Sequence, residues 1–425
     1  MIGGGPGGST VASLLVQKEY SVLLLEKEKF PRFQIGESLL PYNNDLFQRL
    51  GVVDEMEKGP FFPKFGAGFV TADGEVGYTF RFKTNLPPKY AKSYQVERAE
   101  FDHLLLKNAA RTGVDVREET TVLDVDLSSE SRPTVKAKTP TGQEVTFDAR
   151  FIVDASGNGG VIGRRYGTKV DDKDLKKIAI FAHYRNVEPS AKGEDAGNTM
   201  IAVLKNAWFW LIPINKDITS VGIVVDRDAF RDGRNSPEEV LEQSIKAAPY
   251  VARRMAGAER TTQVYTRKDF SYSMKKTYGP NYTLVGDAAG FIDPIFSTGV
   301  FIAMKSGELA AEAVHERLTK GSLALLRKYD KSLRLAMKRY HGFIANFYRR
   351  EFLEVFLQPR EKFGLLKPVV GMLAGNIFEK RKDRLKMGIF FTLVQIQKHK
   401  ILVPPIRWDD LPGAALGIMA EERIG

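Results

Sequence analysis

The chain has 425 residues, more than one hydrophobic core usually holds, and its 43% hydrophobic content suffices for two interleaved domains. It contains no cysteine, which excludes enzymes that relay disulfides or attack through a thiolate and predicts a reducing, cytoplasmic setting. The formal net charge is +11. Nothing resembles a signal peptide, and no uncharged apolar stretch reaches the roughly 18 residues of a membrane span.

The chain begins with a glycine-rich loop of the kind that binds a dinucleotide. Gly3, Gly5 and Gly8 fit the pattern G-x-G-x-x-G. In this pattern the first glycine allows a tight turn, the second lets the backbone approach a pyrophosphate, and the third permits close packing of helix on sheet. The loop therefore predicts the phosphate-binding end of a Rossmann-like domain.

The residues after the loop predict the rest of a βαβ unit. A helix is expected from Ser9 to Gln17, with its N-terminus facing the phosphates. A buried strand over residues 21–26 ends in Glu26, about 20 residues past the loop, where an acid accepts a hydrogen bond from a ribose hydroxyl. Only Met1 and Ile2 precede the loop, whereas a strand normally has about five residues, so we expect a short or truncated first strand and weaker cofactor binding.

Three later blocks resemble those of single-component FAD enzymes of the aromatic-hydroxylase and geranylgeranyl-reductase type. They comprise residues 94–102, 151–157 and 284–290, in that order. The resemblance implies that Arg98 and Asp287 contact FAD. Taken alone, Asp287 could equally be a helix N-cap.

A second nucleotide site is not predicted. The glycines of residues 157–163 have the wrong spacing, and no acid-terminated strand follows at the required distance. We therefore expect the flavin to be reduced from outside, either by a separate NAD(P)H flavin reductase or by transient binding of nicotinamide in the cleft. The five histidines lack H-E-x-x-H spacing, so no metal site is predicted.

The middle of the chain alternates strand and turn signals. Residues 176–225 predict antiparallel strands of a substrate-binding sheet. Helices are expected over residues 237–255, with Ser236 as N-cap, and over 300–318. The FAD-binding domain is then discontinuous and is expected to comprise residues 1–80, 95–170 and 275–320. The substrate-binding sheet is expected from residues 81–94 and 171–274, and a basic helical C-terminal region from residues 321–425.

The positive charge is concentrated near the end of the chain. Residues 331–400 hold 16 Lys or Arg against 5 Asp or Glu, an excess equal to that of the whole chain. Aromatic residues between Tyr340 and Phe356 have the spacing of a buried helical face. The charge fits a solvated surface or the docking of an acidic acyl or peptidyl carrier protein. Nucleic acid is not expected, because no reading motif accompanies the charge, and residues 390–394 fit either a membrane-surface segment or core.

Two further motifs complete the sequence pattern. The first is W-x-W-x-I-P, with its fixed positions at Trp208, Trp210, Ile212 and Pro213. The second is F-x-x-P-x-x-S-x-G, with its fixed positions at Phe291, Pro294, Ser297 and Gly299. With the glycine loop, they resemble a flavin-dependent halogenase, close to the shorter enzymes that act on phenols, pyrroles or carrier-bound substrates. The resemblance implies an α/β fold with a Rossmann-like FAD-binding domain, an interleaved antiparallel sheet and a helical C-terminal region, in secondary metabolism.

The same resemblance implies roles for individual residues. Lys64, which follows a G-E-S-x-x-P block containing Ser38, is implied to be the catalytic lysine, and Ser38 to contact the cofactor. An amine there would hold hypohalous acid by a hydrogen bond or as a haloamine. Residues around the reaction site are implied to be Trp208, Trp210, Pro213, Phe291, Pro294 and Phe296. A lone lysine outside such a block would normally be a solvated surface charge.

The third motif also has a physical interpretation as an anion site. Ser297, Thr298 and Gly299 precede a predicted helix, so their N–H groups lie at its positive end. The resemblance implies chloride or bromide at these residues. The same geometry could instead hold only the flavin carbonyl groups.

One residue departs from the tryptophan-type halogenases and narrows the substrate. These enzymes have a glutamate immediately before the motif serine to take the ring proton, and this chain has Phe296. An electron-rich phenol or pyrrole, or an enolisable carbon, needs less assistance. The predicted reaction uses reduced FAD and oxygen to oxidise halide to hypohalous acid, which reaches Lys64 and then the substrate. An aromatic monooxygenase, a geranylgeranyl-reductase-like enzyme and a carrier-docking protein without turnover are the alternatives.

Overall fold

The computed structural model describes all residues except 167, 173–174, 234, 269–270, 361–363, 378–380 and 417–425, and the side chains of 232 and 381–384. Its helices are α1 (Pro6–Val16), α2 (Asn43–Leu50), α3 (Val53–Lys58), α4 (Phe82–Asn85), α5 (Arg98–Arg111), α6 (Val161–Arg165), α7 (Arg227–Asp232), α8 (Pro237–Ala247), α9 (Pro249–Met255), α10 (Gly299–Lys320), α11 (Ala324–Phe347), α12 (Arg350–Leu357), α13 (Leu366–Ala374) and α14 (Arg381–Gln397).

The strands alternate with these helices and are mostly short. They are β1 (Leu23–Leu25), β2 (Phe62–Lys64), β3 (Gly66–Thr71), β4 (Gly77–Arg81), β5 (Ser93–Gln95), β6 (Asp115–Arg117), β7 (Thr121–Asp126), β8 (Thr134–Lys138), β9 (Glu144–Asp148), β10 (Ile152–Asp154), β11 (Lys169–Asp171), β12 (Lys177–Arg185), β13 (Thr199–Val203), β14 (Trp208–Pro213), β15 (Ile218–Asp226), β16 (Glu259–Arg260), β17 (Tyr265–Lys268), β18 (Tyr272–Met274), β19 (Tyr282–Leu284) and β20 (Gly290–Phe291). The α/β class expected from the sequence is confirmed.

The chain folds into two compact units. Unit 1 comprises Met1–Gly59, Val96–Asp172 and Ser271–Tyr340, and unit 2 comprises Pro60–Gln95, Lys173–Phe270 and His341–Gly425. These limits differ from the expected domain boundaries in two places. Residues 60–80 group with the sheet because β3 pairs with β13 in it. The expected third region, 321–425, is divided, since residues 321–340 are part of unit 1 and residues 341–425 are part of unit 2.

Unit 1 contains parallel strand pairs typical of a nucleotide-binding fold. β1 pairs with β6 and β10 with β19, and Ile2 bridges the two pairs through Leu25 and Asp154. The first strand is thus reduced to one bridging residue. The expected strand over residues 21–26 is also shorter, and the expected helix begins at Pro6 instead of Ser9, because proline is favoured in the first helical turn.

Unit 2 is built on a large sheet with the order β16-β12-β15-β14-β13-β3-β4, in which β17 also pairs with β12. The prediction of antiparallel strands over residues 176–225 is confirmed for β12 to β15, while β3 and β13 are parallel. The expected helix over 237–255 is divided into α8 and α9, since Pro249 cannot continue the hydrogen bonds of a helix interior. Ser236 caps α8 as predicted, with a full capping box.

The two faces of this sheet differ in composition. On one face, Phe209 and Leu211 of β14 pack in a core that also contains Val240 of α8 and Val251 of α9. Successive side chains of a strand alternate between faces, so Trp208 and Trp210 lie on the other face.

Aromatic residues of the C-terminal helices cover part of this second face. The Phe69 ring of β3 lies 4.9 Å from Phe356 and 6.1 Å from Phe347, measured between centroids. Phe343, Phe352 and Phe390 extend the same buried cluster, so the predicted aromatic helical face is confirmed. Phe390 and Val394 are buried, which favours core over a membrane surface for that segment.

No helix within the described residues has the length and apolar character needed to cross a membrane. The cytoplasmic location stays a prediction. Among the same residues, no group of three or more His, Asp or Glu side chains is placed to hold a metal ion.

We expect Phe356→Ala to lower the free energy of unfolding by about 3–5 kcal/mol, because it removes a fully buried ring and leaves a cavity. Urea unfolding followed by tryptophan fluorescence measures the change. Ile389→Ala on α14 is the control, since that side chain is 42% exposed and should shift stability by no more than about 0.5 kcal/mol. Equal losses in both variants would contradict the packing described here.

Candidate functional site

The glycine loop of unit 1 has the geometry that its motif predicts. Gly3 has a φ of +97°, and a Cβ on it would lie 2.5 Å from the Ala155 carbonyl oxygen. A Cβ on Gly8 would lie 2.0 Å from the Gly3 carbonyl oxygen, so α1 and the loop can approach only at glycine. At Gly5, a Cβ would meet the Arg32 side chain at 3.6 Å and no other described residue within 4 Å, which leaves room for a group to approach the backbone.

Glu26 is held at the end of β1 by the loop itself. Its Oε2 accepts a hydrogen bond from Gly4 N at 2.6 Å, and its Oε1 accepts from Glu28 N at 2.9 Å. The carboxylate is buried, so its position is fixed beside the phosphate loop. This is the expected place for a ribose ligand, and the role itself stays a prediction. Ser9 also belongs to the loop, since its hydroxyl donates to Gly4 O at 2.8 Å.

Arg98 is anchored at the first turn of α5. Its Nε and Nη2 donate to the two carboxylate oxygens of Asp102, each at 2.8 Å, and its Nη1 donates to Ile35 O at 2.6 Å. The last bond connects α5 to the G-E-S block, in which Ser38 is buried. Asp102 also accepts from Arg32 at 2.9 Å and therefore organises both cations. Sequence analysis gave Asp102 no role, although its i,i+4 spacing from Arg98 is a usable signal.

Asp287 lies in a 3₁₀ turn after β19, close enough to Arg98 for charge interaction. Burial raises the pKa of the Asp287 carboxyl to about 6, and the positive charge of Arg98 opposes this rise. Helix α1 packs tightly against the same block, because a Cβ on Gly7 would lie 3.0 Å from Val285 and 3.2 Å from the Ala303 carbonyl oxygen. The structure thus brings together the glycine loop, Arg98, Asp287 and helix α10 within unit 1.

The third motif forms the turn that leads into α10. Pro294 starts a 3₁₀ turn ending at Phe296, Ser297 adopts the left-handed conformation with φ 55°, and α10 begins at Gly299 with Thr298 as N-cap. A left-handed non-glycine residue costs about 1–2 kcal/mol and is typical of functional turns.

The first and last fixed positions of this motif are in contact. A Cβ on Gly299 would lie 3.1 Å from the ring of Phe291, so the two positions pack tightly and a larger residue at 299 would push the ring aside. The first N–H groups of a helix have no partner within it, so those at the start of α10 can bind an anion. The expected halide at Ser297, Thr298 and Gly299 stays a prediction.

The W-x-W-x-I-P motif forms β14 of unit 2. Trp208 Nε1 donates to Tyr348 Oη at 3.0 Å, and Trp210 Nε1 donates to Ser220 Oγ at 3.1 Å. Both indoles are buried, and their centroids lie 5.9 Å apart. Pro213 ends the strand and is half-buried. The two indoles thus lie side by side on the sheet face opposite the core that contains Phe209.

Lys64 is a fully buried lysine in unit 2. Its side chain is 2% exposed, and Nζ lies 5.7 Å from the centre of the Phe82 ring. Burial lowers the pKa of the amine from 10.5 to about 7, because a charged ammonium is poorly solvated there. About half of the amine is therefore neutral at pH 7, which suits a group that reacts with or orients an electrophile.

The strand that carries Lys64 is tied to the tryptophan face of the sheet. β2 pairs with β5, and Gln95 of β5 donates through Nε2 to Gly197 O and Thr199 Oγ1, both at 2.9 Å. Thr199 shares its face with Ile201, which pairs with Trp210. Lys64 and the W-x-W motif are therefore parts of one arrangement within unit 2, although 144 residues separate Lys64 from Trp208 in the sequence.

Comparison with known proteins identifies the family. The family model described as tryptophan halogenase matches residues 1–90 and 79–352. The chain belongs to the tryptophan halogenase family. As a member, it is an FAD-dependent halogenase, with FAD as cofactor and halide as co-substrate.

Two curated relatives of this halogenase act on carrier-bound pyrroles. The chain is 29% identical over 409 residues to a 1H-pyrrole-2-carbonyl-[peptidyl-carrier protein] chlorinase of Pseudomonas fluorescens, covering 90% of each chain. It is 32% identical over 321 residues to the corresponding brominase of Pseudoalteromonas luteoviolacea, covering 75% and 77% of the two chains. Among solved structures, the myxobacterial chondrochloren halogenase CndH is 32% identical, with a TM-score of 0.77 and coverage of 92% and 96%.

The residues of unit 1 fit the cofactor of this halogenase. The steric need for glycine at positions 3 and 8, the open approach at Gly5 and the fixed Glu26 carboxylate match the geometry expected of a site for a pyrophosphate and ribose. We expect Gly8→Ala to lower FAD affinity at least tenfold, because its Cβ would displace the Gly3 carbonyl. Quenching of flavin fluorescence on titration measures the affinity.

Gly342→Ala is the matched control for this substitution. A Cβ at Gly342, in the C-terminal half of α11, meets no described atom outside the helix backbone within 4 Å. Alanine is a better helix former than glycine by about 1 kcal/mol, so this variant should be as stable or more stable and bind FAD normally. Unchanged FAD affinity in Gly8→Ala would show that the loop is not the cofactor cradle.

The lowered pKa of Lys64 also predicts how stability depends on pH. Between the folded value of about 7 and the ordinary value of 10.5, the unfolded chain binds more protons than the folded chain. Wild-type stability therefore gains up to about 1.4 kcal/mol per pH unit over this interval from this group. We expect Lys64→Met to be stabilising relative to wild type below pH 7 and this advantage to shrink as pH rises toward 10.

Urea unfolding at pH 6, 8 and 9.5 measures this difference. Lys58→Met serves as control, because the Lys58 side chain is 79% exposed and should give a difference that does not vary with pH. A constant difference for Lys64→Met would mean that the amine stays charged in the folded protein.

Proposed function

We propose that this halogenase transfers chlorine or bromine to an electron-rich ring, with Lys64 holding hypohalous acid for the transfer. The observation that carries the proposal is the complete burial of Lys64, with a pKa of about 7, beside an aromatic ring. A surface lysine would be charged and hydrated, whereas a buried neutral amine has a lone pair to offer to an electrophilic halogen.

FAD, when reduced and supplied with oxygen, provides the oxidising equivalent that converts halide to hypohalous acid. The amides of Thr298 and Gly299, at the start of α10, would hold the halide, with Ser297 shaping the turn before them. Trp208 and Trp210 would exclude water, because both indoles are buried with their N–H groups already bonded. Lys64 would then orient the acid toward the substrate.

The proposed substrate is a pyrrole or phenol carried on a peptidyl carrier protein. The carrier-bound pyrrole relatives support this choice, since one aligns over 90% of both chains. The absence of a carboxylate at Phe296 also favours a ring that needs no strong base. The excess of Lys and Arg over Asp and Glu in the sequence of residues 331–400 is opposite in charge to an acidic carrier protein. A separate NAD(P)H flavin reductase would supply reduced FAD.

The test is halogenation by the FAD-loaded protein with a flavin reductase, NADH, oxygen and bromide, on free and carrier-bound pyrrole-2-carboxylate. Mass spectrometry identifies bromine by its isotope pair. We expect wild type to brominate the carrier-bound form in preference, and Lys64→Met to lose at least a hundredfold in product formation while it keeps bound FAD. The loss is expected because methionine has the length of lysine without the amine.

Lys58→Met is the control, since it removes an exposed lysine from α3 and should leave the rate unchanged. Bromide-independent hydroxylation would instead indicate a monooxygenase. Full activity in Lys64→Met would contradict the assigned role of the lysine. Equal rates on free and carrier-bound pyrrole would contradict only the proposed carrier-protein partner and not the halogenase reaction.

A further inference from the structure

Two buried polar atoms of β5, in unit 2, have no hydrogen-bond partner within the part of the chain that the structure describes. They are Ser93 Oγ and Gln95 Oε1, and both residues are fully buried. Leaving a hydroxyl or an amide oxygen unpaired in the interior costs free energy, and folded proteins do so rarely. Neither atom was singled out by the sequence, and neither has a role in the function proposed above.

Both side chains lie on the same face of the β2–β5 strand pair as the Lys64 side chain. In the antiparallel register of β2 and β5, Lys64 is directly opposite Ser93, and Phe62 is directly opposite Gln95. Directly opposite residues have their Cβ atoms about 4.5–5.5 Å apart on one face, and residues two apart share that face. The two unpaired oxygens and the buried amine therefore belong to one small polar surface.

The orientation of the Gln95 amide is determined by its other end. Nε2 donates to Gly197 O and to Thr199 Oγ1, both at 2.9 Å. A flipped amide would set an oxygen against the Gly197 carbonyl oxygen, which cannot donate. Oε1 is therefore available as an acceptor, while the Ser93 hydroxyl can both donate and accept.

Hypohalous acid is a small molecule that matches this pair of groups. It has one O–H donor and an oxygen that accepts. We propose that Ser93 and Gln95 hold hypohalous acid by its oxygen beside Lys64, with Ser93 Oγ–H donating a hydrogen bond to that oxygen and Gln95 Oε1 accepting a hydrogen bond from the O–H of the acid. This inference rests on the proposed function and deepens it by adding two residues that contact the reacting oxygen.

The same contacts assist the bond-breaking step. The halogen–oxygen bond breaks with its electron pair left on oxygen, while an electron pair of the ring, or first of the Lys64 nitrogen, forms the new bond to halogen. The atom that accepts halogen loses one proton, the oxygen gains one, and the by-product is water. Negative charge develops on oxygen as the bond breaks, so the hydrogen bond from Ser93 is strongest in the transition state.

A graded series at position 93 tests the proposal in the full FAD-loaded protein with flavin reductase, NADH, oxygen and bromide. Brominated pyrrole is measured together with the hypobromous acid that escapes, which is trapped by monochlorodimedone. We expect Ser93→Ala to lower product formation about tenfold to a hundredfold. Escaping acid should stay constant or increase, because the halide is still oxidised. Ser93→Thr, which keeps the hydroxyl, should stay within about threefold of wild type, and Ser93→Cys should lie between Thr and Ala because thiols donate weakly.

Ser13→Ala is the matched control. Ser13 of α1 is also buried and its hydroxyl also has no partner among the described residues, but it belongs to unit 1 and to no part of the proposed site. Loss of a buried unpaired hydroxyl alone should not lower stability or rate, so Ser13→Ala should be at least as stable as wild type and equally active. Thermal unfolding of each variant separates a loss of rate from a loss of fold, and the Thr variant carries the test if the Ala variant is unstable.

Three results would overturn the inference. Wild-type product and escape in Ser93→Ala would remove Ser93 from the reaction. A parallel decrease of product and trapped acid would locate the defect at halide oxidation instead of transfer. Wild-type protein that yields neither product nor trapped acid would overturn the proposed function together with this inference, whereas the first two results leave the function standing.

Discussion

The burial of one amine is the physical constraint on which the proposed chemistry depends. A charged lysine is costly to remove from water, and the fold accepts that cost at Lys64 by letting the group become neutral near pH 7. A neutral amine can hold or accept an electrophilic halogen, which an ammonium group cannot do. The position of the lysine on a short strand of unit 2, and not on a loop, keeps its surroundings fixed.

The sheet of unit 2 explains how distant motifs cooperate. The alternation of side chains along β14 directs Phe209 and Leu211 to the core and the two tryptophans to the opposite face. That face is closed partly by phenylalanines of the C-terminal helices, so the basic C-terminal region also has a structural role. The Gln95 amide then connects the Lys64 strand to the same face through Thr199. Packing and hydrogen bonding thus make one unit of three segments that the sequence keeps far apart.

The sequence predicted local structure well where a short motif sets it. The glycine loop and the start of α10 after Ser297, Thr298 and Gly299 depend on residues close together in the chain, so their patterns are readable. It failed on boundaries that depend on pairing with remote strands. Residues 60–80 were expected in the FAD-binding domain, but β3 pairs in parallel with β13 and therefore belongs to the sheet of unit 2. Ser93 and Gln95 were missed because a buried polar residue has no signature before its partners are known, whereas Asp102 was missed although its i,i+4 spacing from Arg98 is readable.

The sequence by itself determined the class of protein: the order of its motifs, the charge of its C-terminal region and the lack of cysteine all follow from residues that can be read directly. Only the tertiary structure decided that Lys64 is buried and that Ser93 lies opposite it. Burial and strand register depend on which segments meet in space, and a lysine among 63 cationic residues carries no mark of its solvation until they do.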